Sequence, residues 1–272
     1  MPELLLLRLE GPLQAWGTRA RWDVRDTAPE PTKSAVIGLL GAALGYAADD
    51  PRLFELAGTL RMGVRVDHPG TVMTDFQTIT DFLPTAGGEF KASGEKRSKR
   101  LDKLQDNPDA RPATILSPRD YLEDASFLVV LEQADGGSET LERCRQALRD
   151  PVWPMYLGRK ACVPTRPVLV EPHEIPVLYS TLIDALEHHP WSHSGPQGED
   201  RTPPHDQPGC DIFAEEGVSG LQASDERIVS SHERQDVPHP NRARFFHFRR
   251  VFRLKPVQPP LRQALYQEGG AE

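Results

Sequence analysis

The chain has 272 residues, of which 38% are hydrophobic and 26 are proline, and its formal net charge is −8 at pH 7. This length allows a sizeable core in one or two domains, and the negative charge argues against a protein that binds nucleic acid with its whole surface, although a local basic site remains possible. No apolar run approaches the ~20 residues that span a bilayer, and Leu4 to Leu7 is too short for a signal peptide. We therefore expect a cytoplasmic protein that does not bind membranes.

The N-terminal part of the chain predicts alternating strands and helices. The apolar run from Leu4 to Leu9 is followed by a Gly-Pro turn, which predicts a buried strand at about 3–9. A helix is expected from about residue 33 to 47, and its glycines at 38, 41 and 45 share one face, which suggests very close packing against a sheet. Further strands are expected at about 60–67, 71–79, 126–132 and 168–170, with a helix at 138–149. This β-α-β-β-α-β order predicts a ferredoxin-like α+β domain over residues 1–171.

An insertion interrupts this domain from roughly Thr80 to Tyr121. It carries eight basic and seven acidic residues, and the run Lys96 to Arg100 has four cations without an acid. The insertion contains a Gly-Gly and a Ser-Gly sequence, so we expect it to be mobile. The residues alone leave open whether this is a solvated loop or a binding element.

The remaining residues, 172–272, form a smaller C-terminal region that we expect to be rich in β-structure. The stretch Arg242 to Lys255 has six cations and four phenylalanines and alternates well enough for a strand. A flexible surface loop is expected at about 187–210, where Pro, Gly and His are abundant. Its histidines and Cys210 match no zinc spacing, and the three cysteines of the chain indicate no disulfide framework, so we expect no metal and no cofactor.

Four motifs carry a resemblance to a known family. They are GPLQAWG at 11–17, PTKSAVIGLLGAALGY at 31–46, PMYLGRKACVP at 154–164 and DIFAEEGVSG at 211–220. In order and spacing they resemble the CasD family, the Cas-five-type RAMP subunits of the type I-E CRISPR Cascade complex. The resemblance implies the RNA-recognition-motif variant of the ferredoxin-like fold, with the insertion at about 80–121 as a thumb.

The resemblance also implies a function in antiviral defence. The expected role is that of a non-catalytic subunit that binds the 5′ handle of the CRISPR RNA (crRNA) and caps the filament of backbone RAMP subunits. It would also touch the large subunit that reads the PAM, and would meet target DNA only through the complex.

RNA recognition requires cations for phosphates and flat groups for unstacked bases, and three places in the chain supply them. The first combines residues 14–17 with the start of the first helix, where the free N–H groups and the Lys33 ammonium could hold a phosphate. Trp16 could stack on a base or belong to the core, and the residues alone favour the core. The candidate residues here are Gln14, Trp16, Gly17, Lys33 and Ser34.

The second and third places are more basic. An aromatic residue, a glycine and two cations within five residues suit a loop that clamps an RNA backbone, although a β-turn with solvated charges is the alternative; the match to the family's YLGR loop favours RNA. The candidates in this loop are Tyr156, Gly158, Arg159 and Lys160. In the thumb they are Arg97, Lys99, Arg100 and Arg111.

The main alternative is a metal-independent endoribonuclease that processes precursor crRNA. Such cleavage needs a base for the 2′-hydroxyl and an acid for the leaving oxygen. The histidines at 188–205, 232, 239 and 247 are expected to lie away from the handle motifs, which leaves Tyr46 and Lys33 as the nearest pair. We therefore expect no enzymatic activity.

Overall fold

A computed structural model describes residues 3–18, 24–80, 114–194, 201–203, 209–239 and 245–261 of the chain. The strands in this part are β1 (Leu4–Glu10), β2 (Leu13–Gln14), β3 (Leu60–His68), β4 (Thr71–Thr80), β5 (Thr114–Glu123), β6 (Ser126–Gln133), β7 (Cys210–Glu215), β8 (Ile228–Pro238) and β9 (Phe246–Val257). The helices are α1 (Lys33–Ala43), α2 (Arg52–Thr59), α3 (Glu139–Arg149) and α4 (Leu182–His188), with a 3-10 turn at Pro172–Glu174. None of these described helices is long and apolar enough to cross a membrane.

Six strands form one antiparallel sheet in the order β1-β6-β3-β7-β9-β8. Residues 168–170 run beside β1, because Arg8 N–H donates to Val168 O (2.8 Å) and Val170 N–H donates to Leu6 O (3.0 Å). Strands from before and after residue 171 therefore belong to one continuous sheet. The predicted mixture of helices and strands is confirmed, while the division of the chain near 171 stays a prediction.

Both faces of this sheet are covered, which explains its continuous apolar strands. Along β1, Leu5, Leu7 and Leu9 face a core shared with α1, α2 and α3, whereas Leu6 faces a second core shared with α4. A strand that is buried on both sides has no polar face, so the run of leucines replaces the usual alternation. The ends of the strands predicted at about 3–9 and 126–132 lie within one residue of the ends of β1 and β6.

A second antiparallel sheet has the order β2-β5-β4. Strands β4 and β5 pair along their full length, from Thr71 opposite Glu123 to Thr80 opposite Thr114. Residues 114–121, which we expected to lie in the mobile insertion, are therefore part of β5. Residues 81–113, with the thumb candidates Arg97, Lys99, Arg100 and Arg111, lie outside the described residues.

The glycines of α1 have three different roles, so the expectation of one face pressed against a sheet is wrong. A Cβ on Gly41 would collide with Leu53 of α2, so the close approach is between two helices. Gly38 has open space beside it. Gly45 lies beyond the helix at φ +76°, and Tyr46 N–H donates to Gly41 O (2.8 Å), which is a Schellman ending. The helix therefore ends at residue 43 rather than 47.

The segment 189–193 is buried, whereas we expected a surface loop from 187 to 210. The Arg65 guanidinium donates to His189 O (2.6 Å) and Pro190 O (3.1 Å). Arg65 and the buried Arg8 both pair with Asp67, and Arg8 also lies 3.8 Å from the buried Glu10 carboxylate, so two carboxylates compensate the two arginines. Two arginines beneath the sheet thus supply hydrogen-bond partners for a segment whose composition alone suggested solvent exposure.

Candidate nucleic-acid interface

Two of the predicted RNA-binding segments, residues 14–17 and 156–160, contact each other through their backbones. Ala15 N–H donates to Leu157 O (3.0 Å), and Leu157 N–H donates to Cys162 O (2.8 Å). Gly158 has φ +96°, and a Cβ atom at this position would lie 1.8 Å from the carbonyl oxygen of Ala15. Only glycine fits here, because any side chain would separate the loops and strain the backbone. The structure therefore brings residues 14–17 and 156–160 into one site.

The Gln14 and Trp16 side chains point away from this surface. Gln14 Nε2 donates to Leu9 O (3.2 Å) and Ala125 O (2.6 Å), and both side chains are 0% exposed. Trp16 belongs to the core on the α1 side of the large sheet. Of the two alternatives for Trp16, the structure favours the core, and within residues 14–17 the exposed residue is Gly17.

The start of α1 is occupied by protein groups, which contradicts the phosphate site predicted for Lys33. Its ammonium is buried and bonds both carboxylate oxygens of Glu215 at 2.8 and 2.9 Å. The Lys33 backbone N–H donates to Asp236 Oδ2 (2.9 Å), and the Thr32 side chain caps the helix. Burial lowers the pKa of Lys33, against the opposing effect of the Glu215 charge. This helix end is held against β7 and β8 and has no free charge to offer an anion.

Arg159 and Lys160 differ in their surroundings. The Arg159 guanidinium donates to the backbone oxygens of Asp120 (2.9 Å), Arg25 (3.0 Å) and Asp26 (3.2 Å), and it lies 4.6 Å from the ring centre of Tyr121. It ties the 156–160 loop to β5 and to the segment before α1. Lys160 is exposed and Tyr156 is half-buried.

A groove of about 850 Å³ opens beside the contact between the loops. Its small-residue floor includes Ala15, Gly17, Ser34, Gly38 and Gly158. Its aromatic walls are Tyr46, Phe54, Trp153, His239, Phe245 and Phe246. Trp153 and Phe245 are each 56% exposed, which is unusual for large apolar side chains and suits stacking on unpaired bases.

Charges around the groove are mixed among the described residues. Arg52 lies 4.0 Å from the ring centre of Tyr46 and pairs with Asp50 (2.5 Å), and Asp49 also lines the groove. Within the described ranges, Arg25 and Lys160 are the exposed cations nearest in sequence to the loop contact. The groove therefore offers more stacking surface than positive charge.

Sequence reasoning missed several groove residues. Trp153 precedes the YLGR motif, and Phe245 and Phe246 belong to the phenylalanine-rich stretch that we noted only as a strand. His239 was expected to lie away from the handle motifs, but it lines the same groove as Gly17 and Gly158. The available signal was the density of aromatic residues beside cations, which is typical of single-stranded RNA sites.

Comparison with known proteins identifies the family. Residues 4–254 match the family model described as CRISPR-associated protein (Cas_Cas5). The chain is 27% identical over 239 residues to CRISPR system Cascade subunit CasD of Escherichia coli (strain K12), covering 85% of this chain and 91% of that protein.

Two solved structures are similar over nearly the whole chain. A structure described as a Cas protein is 32% identical, with a TM-score of 0.59 and coverage of 95% of this chain and 98% of that one. A chain of a CRISPR RNA-guided surveillance complex is 26% identical, with a TM-score of 0.61 and coverage of 97% and 98%. On the match along residues 4–254, this chain belongs to the Cas5 family of CRISPR-associated proteins.

Proposed function

We propose that this protein is the non-catalytic subunit of a type I-E CRISPR Cascade surveillance complex that binds the 5′ handle of the crRNA. The observation that carries the proposal is the aromatic groove beside the contact between Ala15 and Gly158. The similarity to Cascade subunit CasD over 85% of the chain supports it.

The groove suits a single strand whose bases are turned out of a stack. Glycines at 17, 38 and 158 leave the backbone open, so a ribose-phosphate chain can approach it closely. Trp153 and Phe245 offer exposed faces for bases, and each stacked base is worth about 1–3 kcal/mol. Lys160 and Arg25 supply exposed cations for phosphates.

We also propose that residues 1–171 form a ferredoxin-like RAMP domain and that residues 172–272 extend it. In support, residues 168–170, β1, β6 and β3 lie side by side, with α1 and α3 packed on one face. The ribbon of β4 and β5 would form the base of the thumb, whose cations at 97–111 would reach the RNA. In the complex, the subunit would cap the backbone filament, contact the large PAM-reading subunit and remain in the cytoplasm.

The test is binding of handle RNA to the purified full chain at several salt concentrations. If about four phosphates are neutralised, log affinity falls with log salt with a slope of about −3. The sequence-scrambled RNA of the same length is the control for handle recognition. A salt-independent affinity, or equal binding of both RNAs, would reject the proposed site.

RNA cleavage is the second candidate, because the structure places His239 and Tyr46 in one groove. We expected no cleavage because the histidines were predicted to lie away from the RNA-binding segments. His239 instead lies beside residues 14–17 and 156–160, where it could act as a general base. Labelled repeat RNA is incubated with the protein, with and without EDTA. Cleavage at one position that is abolished in both Tyr46→Phe and His239→Gln, but kept in His232→Gln, would establish a nuclease and overturn the non-catalytic assignment.

A further inference from the structure

A cluster of two histidines and an aspartate lies at the base of the β4–β5 ribbon, away from the groove. It combines His68 at the end of β3, Asp124 in the turn between β5 and β6, and His193 in the buried 189–193 segment. One ligand atom of each residue lies within 4.8 Å of those of the other two. The three residues come from distant parts of the chain, so the cluster cannot be predicted from a metal-ligand spacing in the sequence.

One ligand-to-ligand distance in the cluster matches the distance between two ligand atoms of a tetrahedral metal site. His193 Nε2 lies 3.3 Å from Asp124 Oδ1. With metal-ligand distances of about 2.0–2.1 Å, two ligand atoms around tetrahedral Zn²⁺ are separated by about 3.3 Å. The two atoms are therefore already placed for a shared ion that would replace the proton between them.

The surrounding groups prepare each ligand. The His68 ring nitrogen Nδ1 bonds the backbone oxygen of Asp124 (2.7 Å), a contact of the kind that orients metal-binding imidazoles. Arg201 donates to the other carboxylate oxygen, Asp124 Oδ2 (2.5 Å), and leaves Oδ1 to face His193. Trp191 packs edge-on against the His193 ring, with ring centres 6.1 Å apart.

We propose that His68, Asp124 and His193 bind one divalent transition metal of the Zn²⁺ class. Two imidazoles and one carboxylate select such ions over Mg²⁺ and Ca²⁺, which prefer oxygen ligands. The rings of His68 and His193 are stacked with centres 4.5 Å apart, and binding turns the half-buried His68 ring out of that stack toward the ion. The ion would clip the start of β6 and the end of β3 to the 189–193 segment. This proposal is independent of the RNA-binding function.

The test measures Zn²⁺ binding to the full chain, freed of any purification tag and stripped with a chelator that is then removed. Competition with a chromophoric chelator should give one ion per chain, and added Zn²⁺ should raise the melting temperature. Asp124→Asn and His68→Gln should each weaken binding at least about 10-fold and abolish the thermal shift. These two side chains are not fully buried, so the variants should fold, and circular dichroism measures whether they do.

His188→Gln is the matched control, because His188 is an exposed histidine at the end of α4 that pairs with Asp184 instead. It should bind Zn²⁺ like the parent. Tetrahedral Co²⁺ bands in the visible spectrum of the parent, lost in Asp124→Asn, would place the ion at the cluster. Absence of stoichiometric binding, or binding that both cluster variants retain, would show that the stacked histidines are a purely structural contact.

Discussion

Gly158 presses against the carbonyl group of Ala15 so closely that a Cβ atom on residue 158 would lie 1.8 Å from that oxygen. Because Ala15 N–H also bonds Leu157 O (3.0 Å), the two loops form a fixed backbone junction on the floor of the groove. The position of the groove floor thus depends on the absence of a side chain at residue 158.

Replacing Gly158 with alanine should destabilise the protein and weaken binding of handle RNA together. The backbone conformation at φ +96° alone costs about 1–3 kcal/mol for a residue with a side chain, and the collision with Ala15 adds to it. Urea unfolding measures the stability. Gly136→Ala is the control, since Gly136 has φ +76° but nothing within 4 Å, so only the backbone strain should appear. If both variants lose the same free energy of unfolding, the junction between the loops can accommodate a Cβ atom without further destabilisation.

Arg159→Ala and Lys160→Ala should separate stability from binding. Arg159 makes three hydrogen bonds to backbone oxygens, and losing them should lower the free energy of unfolding by about 1–3 kcal/mol. Lys160 is exposed, so its removal should change that free energy by no more than about 0.5 kcal/mol while reducing RNA affinity. Thermal melting and filter binding are measured on the same preparations. A Lys160→Ala variant with parental affinity would remove this lysine from the interface.

Trp153→Ala should weaken handle binding without unfolding the protein. The indole is 56% exposed on the groove wall, and loss of one stacked base costs about 1–3 kcal/mol in affinity. Leu178→Ala is the control, because Leu178 is an apolar residue that is 84% exposed and does not line the groove. If the two variants bind handle RNA equally well, the groove is not where the bases stack.

Asp236→Asn should change how stability depends on pH. Burial acts to raise the pKa of Asp236, but the hydrogen bonds and charge of Arg249 outweigh it and hold the pKa below 3.8. A depressed pKa in the folded state gives stability that is present above about pH 3.8 and is lost as the pH falls through the folded value. The variant should lose about 3 kcal/mol at pH 7 and show a shallower decline toward pH 3.

The acid decline is measured by urea unfolding at a series of pH values. Asp49→Asn, which changes an exposed aspartate, serves as the control and should follow the parental curve. A decline in Asp236→Asn as steep as that of the parent would show that other carboxylates dominate the acid response.

Elements whose pattern is local could be predicted from the sequence. Strands β1 and β6 are continuous apolar runs, and α3 repeats Leu141, Cys144 and Leu148 at helical spacing. Each of these predictions needs only the residues within one element, because hydrogen-bond geometry sets the periods of 2 and 3.6.

Which side chains those elements bring together could not be predicted in this way, because it depends on how the strands are ordered in the sheet. Lys33 was expected to hold a phosphate, yet the sheet order places Glu215 and Asp236 at the start of α1, some 182 and 203 residues away in the chain. Hydrogen bonds from two buried arginines hold residues 189–193 in the interior. His239 follows β8 and Phe245 precedes β9, and this hairpin places both in the groove beside Gly158. Charge pairing and burial are set by which strands become neighbours, and that order depends on long-range packing that no local period encodes.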